Sequence, residues 1–337
     1  MRLSELRSRR VLLGATLLAL MFLLGACAPN APQDFLNHQS GSNAKKADQL
    51  WDITFMIAVV IFFIVEGFLV FALVRFRHKP GREAAQFHGN TKLEVVLTIV
   101  PALILAGLAI PTLRTIFDIA HVPEGSLEIK VTGRQFWWQY DYEDFDFATA
   151  NELHIPVGQF VHLTFEGADV IHSYWIPRLT GAQDIVPGRV NELTFRADEP
   201  GRYMGQCKEF CGISHANMRL IVYAMEPNDF QTWLSEQQKP AAAAAADVAA
   251  GEKLFLEGEC VNCHAIQGTD AAATTAPDLT HFASRTTFAG AMFKVNEENV
   301  AEWLRDPPAM KPGALMPDYG LTENEINQLV AYLMSLE

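Results

Sequence analysis

Two thiols, an imidazole and a thioether fall within the twelve residues from Cys207 to Met218, as Cys207, Cys211, His215 and Met218. Thiolate and thioether sulfur favour copper(I), zinc or iron–sulfur clusters, and imidazole suits copper and zinc, so the mixture points first to copper. A second constellation, Cys260-Val261-Asn262-Cys263-His264, has the CxxCH spacing of covalent c-type haem attachment. Cys260 and Cys263 would form thioethers to the haem vinyls, and His264 would bind iron from the proximal side. A distal methionine would raise the haem potential. Met310 and Met316 compete for that role, and the irregular, proline-flanked run Lys311-Pro312-Gly313-Ala314-Leu315-Met316-Pro317 favours Met316. The adjoining His264 and the absence of a βαβ pattern argue against a thioredoxin-like redox pair.

His172, 35 residues before Cys207 in Asp169-Val170-Ile171-His172-Ser173-Tyr174-Trp175-Ile176-Pro177, extends the first donor set. One upstream histidine with the remaining ligands on a single later loop is the arrangement of a cupredoxin-type site. A single cysteine would make a mononuclear blue copper. Two cysteines four positions apart can both bridge a pair of copper ions, with His172 and His215 terminal and Met218 a weak ligand to one ion. Two shared thiolates spread one electron over both ions, which reduces geometric change on electron transfer. A Cys207–Cys211 disulfide or a zinc site are the alternatives, and neither explains Met218 or His172.

The chain has 337 residues, half of them hydrophobic, and a formal net charge of −13. Its length suits about two domains, and its acidity, without long basic runs, excludes nucleic acid as an expected partner. Residues 1–26 read as an export signal: a basic start (Arg2, Arg7, Arg9, Arg10), an apolar run, and Leu24-Gly25-Ala26 before Cys27. Those small residues resemble a lipobox, making Cys27 a candidate for lipidation at the mature N-terminus. Residues 27–120 are expected to form a transmembrane helical hairpin, with spans at about 53–75 and 95–116. Pro101 and Pro111 are tolerable in a membrane helix. Arg75, Arg77, Lys79, Arg82 and Lys92 in the connecting loop place it in the cytoplasm and both chain ends outside. Glu66 in the first span must face protein or a cavity, because a carboxylate is costly in lipid.

Short alternating runs at Leu127–Val131, Phe160–Phe165, Val190–Phe195 and Leu220–Ala224, punctuated by Gly and Pro, predict an antiparallel sandwich or barrel over 121–236. Residues 237–246 form an Ala-rich linker, and 247–337 are about the size of a small cytochrome c. That segment is expected to begin with a helix at Val248–Leu256 and to end with one carrying Ile326, Leu329, Val330 and Leu333 at helical spacing. It is acidic, so its partner surface is expected to be basic.

The chain resembles subunit II of haem-copper cytochrome c oxidases from the first span to about Met225. The resemblance is carried by Glu94 through Pro101 and Pro111, Gln135 to Tyr142, His172-Ser173 to Pro177, Pro187-Gly188-Arg189-Val190-Asn191, and the Cys207 to Met218 loop. The loop around Met316 similarly resembles the axial-ligand loop of bacterial cytochromes c, as Pro277-Asp278-Leu279 resembles their proximal loop. The resemblance implies a two-helix membrane hairpin, a cupredoxin-like β-barrel and an all-α class I cytochrome c domain. It implies two copper ions in a copper A centre on His172, Cys207, Cys211, His215, Met218 and the Glu209 carbonyl, besides one covalent haem. The Glu209 side chain would reach a magnesium or manganese ion at the interface with subunit I, and Glu94 would serve a proton entrance there. Many members carry Gln-Trp-Tyr-Trp where this chain has Gln135-Phe136-Trp137-Trp138. Phe136 replaces the tryptophan that receives electrons from soluble cytochrome c, which leaves Trp137 and Trp138 as electron-path candidates. The implied setting is the bacterial inner membrane, with copper and haem domains on its outer face. The implied partners are subunit I, other oxidase subunits, membrane lipid, and a cytochrome c or respiratory complex as donor. A quinol oxidase subunit would lack the copper ligands, a copper-delivery protein the haem and second span, and nitrous oxide reductase would need a propeller domain for which there is no room.

Overall fold

The computed structural model describes residues 38–78, 80–81 and 88–337, together with 14 and 16–18; Cys27 and most of the signal segment lie outside them. Two long apolar helices come first, α1 (Ser42–Arg75) and α2 (Thr91–Ala120). Their exposed apolar sides and length suit a bilayer crossing. Both continue beyond the spans expected from hydropathy, and the polar first turns of α1 fasten onto the next domain. Asn43 donates from Nδ2 to the Thr194 carbonyl at 2.7 Å, Lys45 pairs with Asp198 at 2.8 Å, and Lys46 ties α1 to Asp118 of α2 at 2.5 Å.

The middle domain packs two five-stranded sheets. Its strands are β1 (Leu127–Arg134), β2 (Trp137–Tyr142), β3 (Phe147–Ala150), β4 (Glu152–Pro156), β5 (Phe160–Gly167), β6 (His172–Trp175), β7 (Gln183–Ile185), β8 (Asn191–Arg196), β9 (Gly201–Cys207) and β10 (Arg219–Met225). The sheet orders are β3-β2-β1-β5-β8 and β4-β10-β9-β6-β7. Alternation along β2 turns Trp138, Tyr140 and Tyr142 into the core against Ile129, Leu153 and Phe165. The expected antiparallel order holds for most pairs, but β1 pairs with β5 and β4 with β10 in parallel. Helix α3 (Pro227–Gln237) closes the domain with Phe230 and Leu234 buried.

In the last domain α4 (Ala249–Glu257), α5 (Glu297–Arg305), α6 (Pro307–Met310) and α7 (Glu323–Leu333) surround a small core. Helix α7 begins with a capping box between Thr322 and Glu325 and buries Ile326, Leu329, Val330 and Leu333. It crosses α4 at Gly251, where a Cβ would collide with the Gln328 carbonyl. The domain is not wholly helical: β11 (Thr287–Phe288) and β12 (Phe293–Lys294) form a short hairpin. The Ala-rich connector packs back on this domain through Ala241 and Ala244, with the Ala241 amide donating to the Gln267 carbonyl at 2.9 Å.

His154 on β4 stacks on Trp233 with ring centroids 4.3 Å apart, and Tyr223 covers it at 4.9 Å. Burial, and then the nearby Arg285, push its pKa down to about 3. Between that value and the ordinary one near 6.5, the unfolded chain binds a proton that the folded chain refuses, so stability falls as pH drops through this window. Its contribution is a slope of up to about 1.4 kcal/mol per pH unit. Urea midpoints of the His154→Phe variant, measured from pH 7 to pH 4, are expected to fall less steeply than those of the parent; an unchanged slope contradicts this.

Candidate metal centre and haem cavity

Cys207 ends β9, opposite Tyr174 of β6. The base of the loop that follows is closed by backbone bonds: the Cys207 amide to the Met218 carbonyl and the Lys208 amide to the Ser173 carbonyl, both at 2.9 Å. Within it the Cys207 and Cys211 sulfurs stand 3.9 Å apart as free thiols. His172 Nδ1 lies 4.0 Å from Cys207 Sγ, His215 Nδ1 3.6 Å and Met218 Sδ 3.8 Å from Cys211 Sγ, and the Glu209 carbonyl oxygen 3.2 Å from Cys207 Sγ. Six donors predicted from the sequence thus converge, with Cys207, Cys211, His172 and Met218 buried. Two soft sulfurs between two imidazoles fit a pair of copper ions.

The electrostatics suit metal binding. Hydrogen bonding with Cys211, reinforced by His172, lowers the pKa of the Cys207 thiol, while proton sharing with Cys207 and burial push Cys211 up. Metal binding requires both as thiolates and releases their proton. Burial opposes charge on His172, but bonds to Cys207 and Asp169 outweigh it and raise its pKa. His172 Nε2 meets Asp169 Oδ1 at 2.7 Å, leaving Nδ1 for the site. Asp169 is in turn held by the Gln135 and Val170 amides, each at 2.6 Å.

A cavity of about 340 Å3 in the last domain is lined by Cys260, Cys263, His264 and Met316, but not Met310. His264 Nδ1 meets the Pro277 carbonyl at 2.7 Å, which leaves Nε2 for iron. Burial lowers the pKa of His264 and favours the neutral, ligating imidazole. Met316 Sδ accepts from Trp303 Nε1 at 3.2 Å. Arg285 also lines the cavity; it is buried, burial lowers its pKa, and its Nε has no partner. Its Nη2 donates to the Asp278 carbonyl at 2.5 Å, and the remaining Nε donor at the cavity wall fits a haem propionate.

Phe136 and Trp137 line the same cavity from the copper domain. Trp138 points the opposite way, its ring 5.9 Å from that of His172. Glu209 is exposed on the copper loop, and Lys208 lies over Trp175 at 5.2 Å. Glu94 sits exposed in the first turn of α2 and Glu66 exposed on α1, both remote from the metal donors in the chain's membrane helices. Sequence reasoning missed Asp169, Trp303, Arg285 and Lys311. Only Asp169 carried a local signal, its position three residues before His172.

A membrane hairpin, a sulfur-rich donor cluster on a β-domain and a CxxCH cavity define a membrane-anchored electron-transfer protein. Residues 29–115 match the family Cytochrome C oxidase subunit II, transmembrane domain, residues 146–225 its periplasmic domain, and residues 248–337 the family Cytochrome c. The chain is 38% identical to cytochrome c oxidase subunit 2 of Alkalihalophilus pseudofirmus, covering 85% of this chain and 87% of that protein. It is 35% identical to the Bacillus subtilis subunit, covering 86% and 89%. The crystal structure of the periplasmic domain of subunit II of cytochrome oxidase from Bradyrhizobium japonicum is 34% identical, covers 35% of this chain and 97% of that chain, and superposes with a TM-score of 0.34. The chain belongs to the cytochrome c oxidase subunit II family and carries a fused cytochrome c domain. Membership implies copper A, haem and assembly with subunit I.

Loss of the Asp169 carboxylate frees the His172 ring to rotate. Asp169→Asn is expected to weaken copper retention about 10–100-fold, as outer-shell losses do, read as copper lost to a graded chelator. Retention equal to the parent would show that Asp169 does not orient the ligand.

Proposed function

We propose that this chain is the electron-entry subunit of a proton-translocating oxidase in the bacterial inner membrane, with its copper and haem domains on the outer face. When bound, the haem and the copper pair supply reversible one-electron chemistry that links an external donor, a cytochrome c or a respiratory complex, to oxygen reduction in subunit I. Cys260 and Cys263 would hold the haem covalently, with His264 and Met316 on its iron. His172, Cys207, Cys211, His215, Met218 and the Glu209 carbonyl would hold two copper ions. One observation carries the reading: Phe136 and Trp137 of the copper domain wall the cavity lined by the four haem-binding residues. The buried, mutually bonded donors exclude water, and the strand-end framework limits their movement between redox states.

The decisive measurement is on the assembled oxidase. Two coppers and one covalent haem per chain are expected, and deletion of residues 247–337 is expected to slow copper reduction by soluble cytochrome c sharply. Zinc in place of copper, or equally fast reduction after the deletion, overturns the relay.

Two finer assignments accompany it. The exposed Glu209 carboxylate would meet magnesium or manganese at the subunit I interface. Glu94, in the first turn of α2, where the Asn90 side chain caps the helix by accepting from the Leu93 amide, would serve proton entry. Glu94→Gln is expected to slow oxygen consumption of the assembled enzyme while leaving copper and haem content intact. Parent-like turnover removes that assignment.

A further inference from the structure

Lys311 is a basic side chain in an unusual place. It is 3% exposed, and among the described residues it forms no ion pair. Its Nζ donates to the Phe136 carbonyl at 2.7 Å and to the Ala289 carbonyl at 2.8 Å. The first carbonyl belongs to the copper domain and the second to the haem domain, so one buried amine, its pKa brought down to about 7 by burial, bridges the two. Burying a cation without a carboxylate is costly unless its hydrogen bonds are well made.

The surroundings are built for close approach. Ala289, Gly290 and Ala291 all have left-handed backbone, with φ of 54°, 79° and 56°, a conformation that alanine rarely adopts. This tip presses on the copper loop: the Arg219 amide donates to the Gly290 carbonyl at 3.1 Å. A Cβ on Gly290 would stand 2.6 Å from the Asn217 carbonyl oxygen and 2.7 Å from Lys311 Nζ. A second haem-domain segment grips the same loop. Ser214 Oγ donates to the Pro312 carbonyl, and a Cβ on Gly313, at φ 81°, would collide with Ile213. Phe136 lies between, 6% exposed. A Cβ on Gly212, next to Cys211, would be 3.0 Å from its Cζ, and one on Gly313 would be 3.2 Å from its Cε2.

We propose that Lys311 is a positioning residue for electron transfer: by bridging the Phe136 and Ala289 carbonyls it holds the Phe136 ring in the gap between the haem cavity and Cys211. The inference rests on the relay reading above. The step it serves moves one electron, with the haem iron oxidised and the copper pair reduced, and no proton or group transferred. The same contact covers Phe136, so a separate cytochrome cannot dock there while the bridge holds.

The test uses the full chain in the assembled oxidase. A photoreductant delivers an electron to the haem, and haem and copper absorbances report its onward transfer. Lys311→Met keeps the aliphatic stem and removes both donors. It is expected to slow transfer about 10–100-fold, the cost of a small misplacement of reacting groups. Because Lys311 also interacts electrostatically with Cys211, potentials are measured in each variant and rates compared at equal driving force; hydrogen exchange at the Arg219 amide should rise. Lys311→Arg, which restores donors, should recover part of the rate. Gly313→Ala provides an independent wedge at the same contact and should slow transfer likewise. Parent rates and parent Arg219 exchange in both Lys311→Met and Gly313→Ala overturn the bridge but leave the relay intact. No transfer from haem to copper in the parent overturns both.

Discussion

The Cys207 and Cys211 thiols lie 3.9 Å apart and buried, where each must lose its proton to bind metal and neither can rely on water to stabilise the charge. The rest of the domain answers that requirement. Strand β9 fixes Cys207 against β6, so one sulfur inherits the rigidity of a sheet. Cys211, on the loop, is placed by the loop's own bonds and by Gln135 Nε2, which donates to its carbonyl at 2.5 Å. His172 reaches the sulfurs with its Nδ1 because Asp169 holds the other nitrogen, and Trp138 blocks the space behind the ring. The same core that stabilises the sandwich therefore sets the metal geometry, and loosening one would loosen the other.

Part of the copper loop is also constrained by the fused haem domain, whose contacts fall at Gly290 and Gly313, and that domain grips the copper domain again at Glu152 on β4. That carboxylate accepts from the amides of Thr286 and Thr287 at 3.2 and 2.8 Å and from both hydroxyls at 2.6 Å. A carboxylate satisfied by four donors is a specific lock, since a shift of the hairpin by one residue would strand it unpaired. That part of the copper loop is thereby held from both sides, by sheet within and cytochrome without. Phe136, smaller than the tryptophan of many relatives, fits this closed setting.

The clustered Cys, His and Met side chains, the apolar helices and most strands were legible because each leaves a local pattern: soft side chains at fixed spacing, uncharged runs, period-two alternation. Neighbour direction leaves none, which is why the parallel β1–β5 and β4–β10 pairings were not foreseen. The β11–β12 hairpin is too short to generate a period. Lys311 and Glu152 carry no sequence signal of burial, because it is created by another domain far away in sequence. The alanines after Pro240 suggested a loose tether by composition, yet small apolar side chains are also what a segment lying on a core requires. Connector and interface are thus indistinguishable until the partner surface is known.

In the proposed relay, the chemistry of that interface separates the two electron steps. No ion pair joins the copper and haem domains among the described residues. The charged or basic groups at the contact, Glu152, Lys311 and Arg285, meet neutral donors or carbonyls in their hydrogen bonds. Buried groups of this kind are little affected by salt, whereas exposed charges are screened over about 10 Å at 0.1 M. Docking of an external donor on the acidic haem domain should therefore weaken with ionic strength, since attraction between unlike surfaces governs encounter. The internal haem-to-copper step should not. Tethering alone raises effective concentration but leaves orientation to chance; the glycine contacts and the Lys311 bridge supply orientation. A chain that fixes its second step in this way can let salt and partner charge regulate only the first.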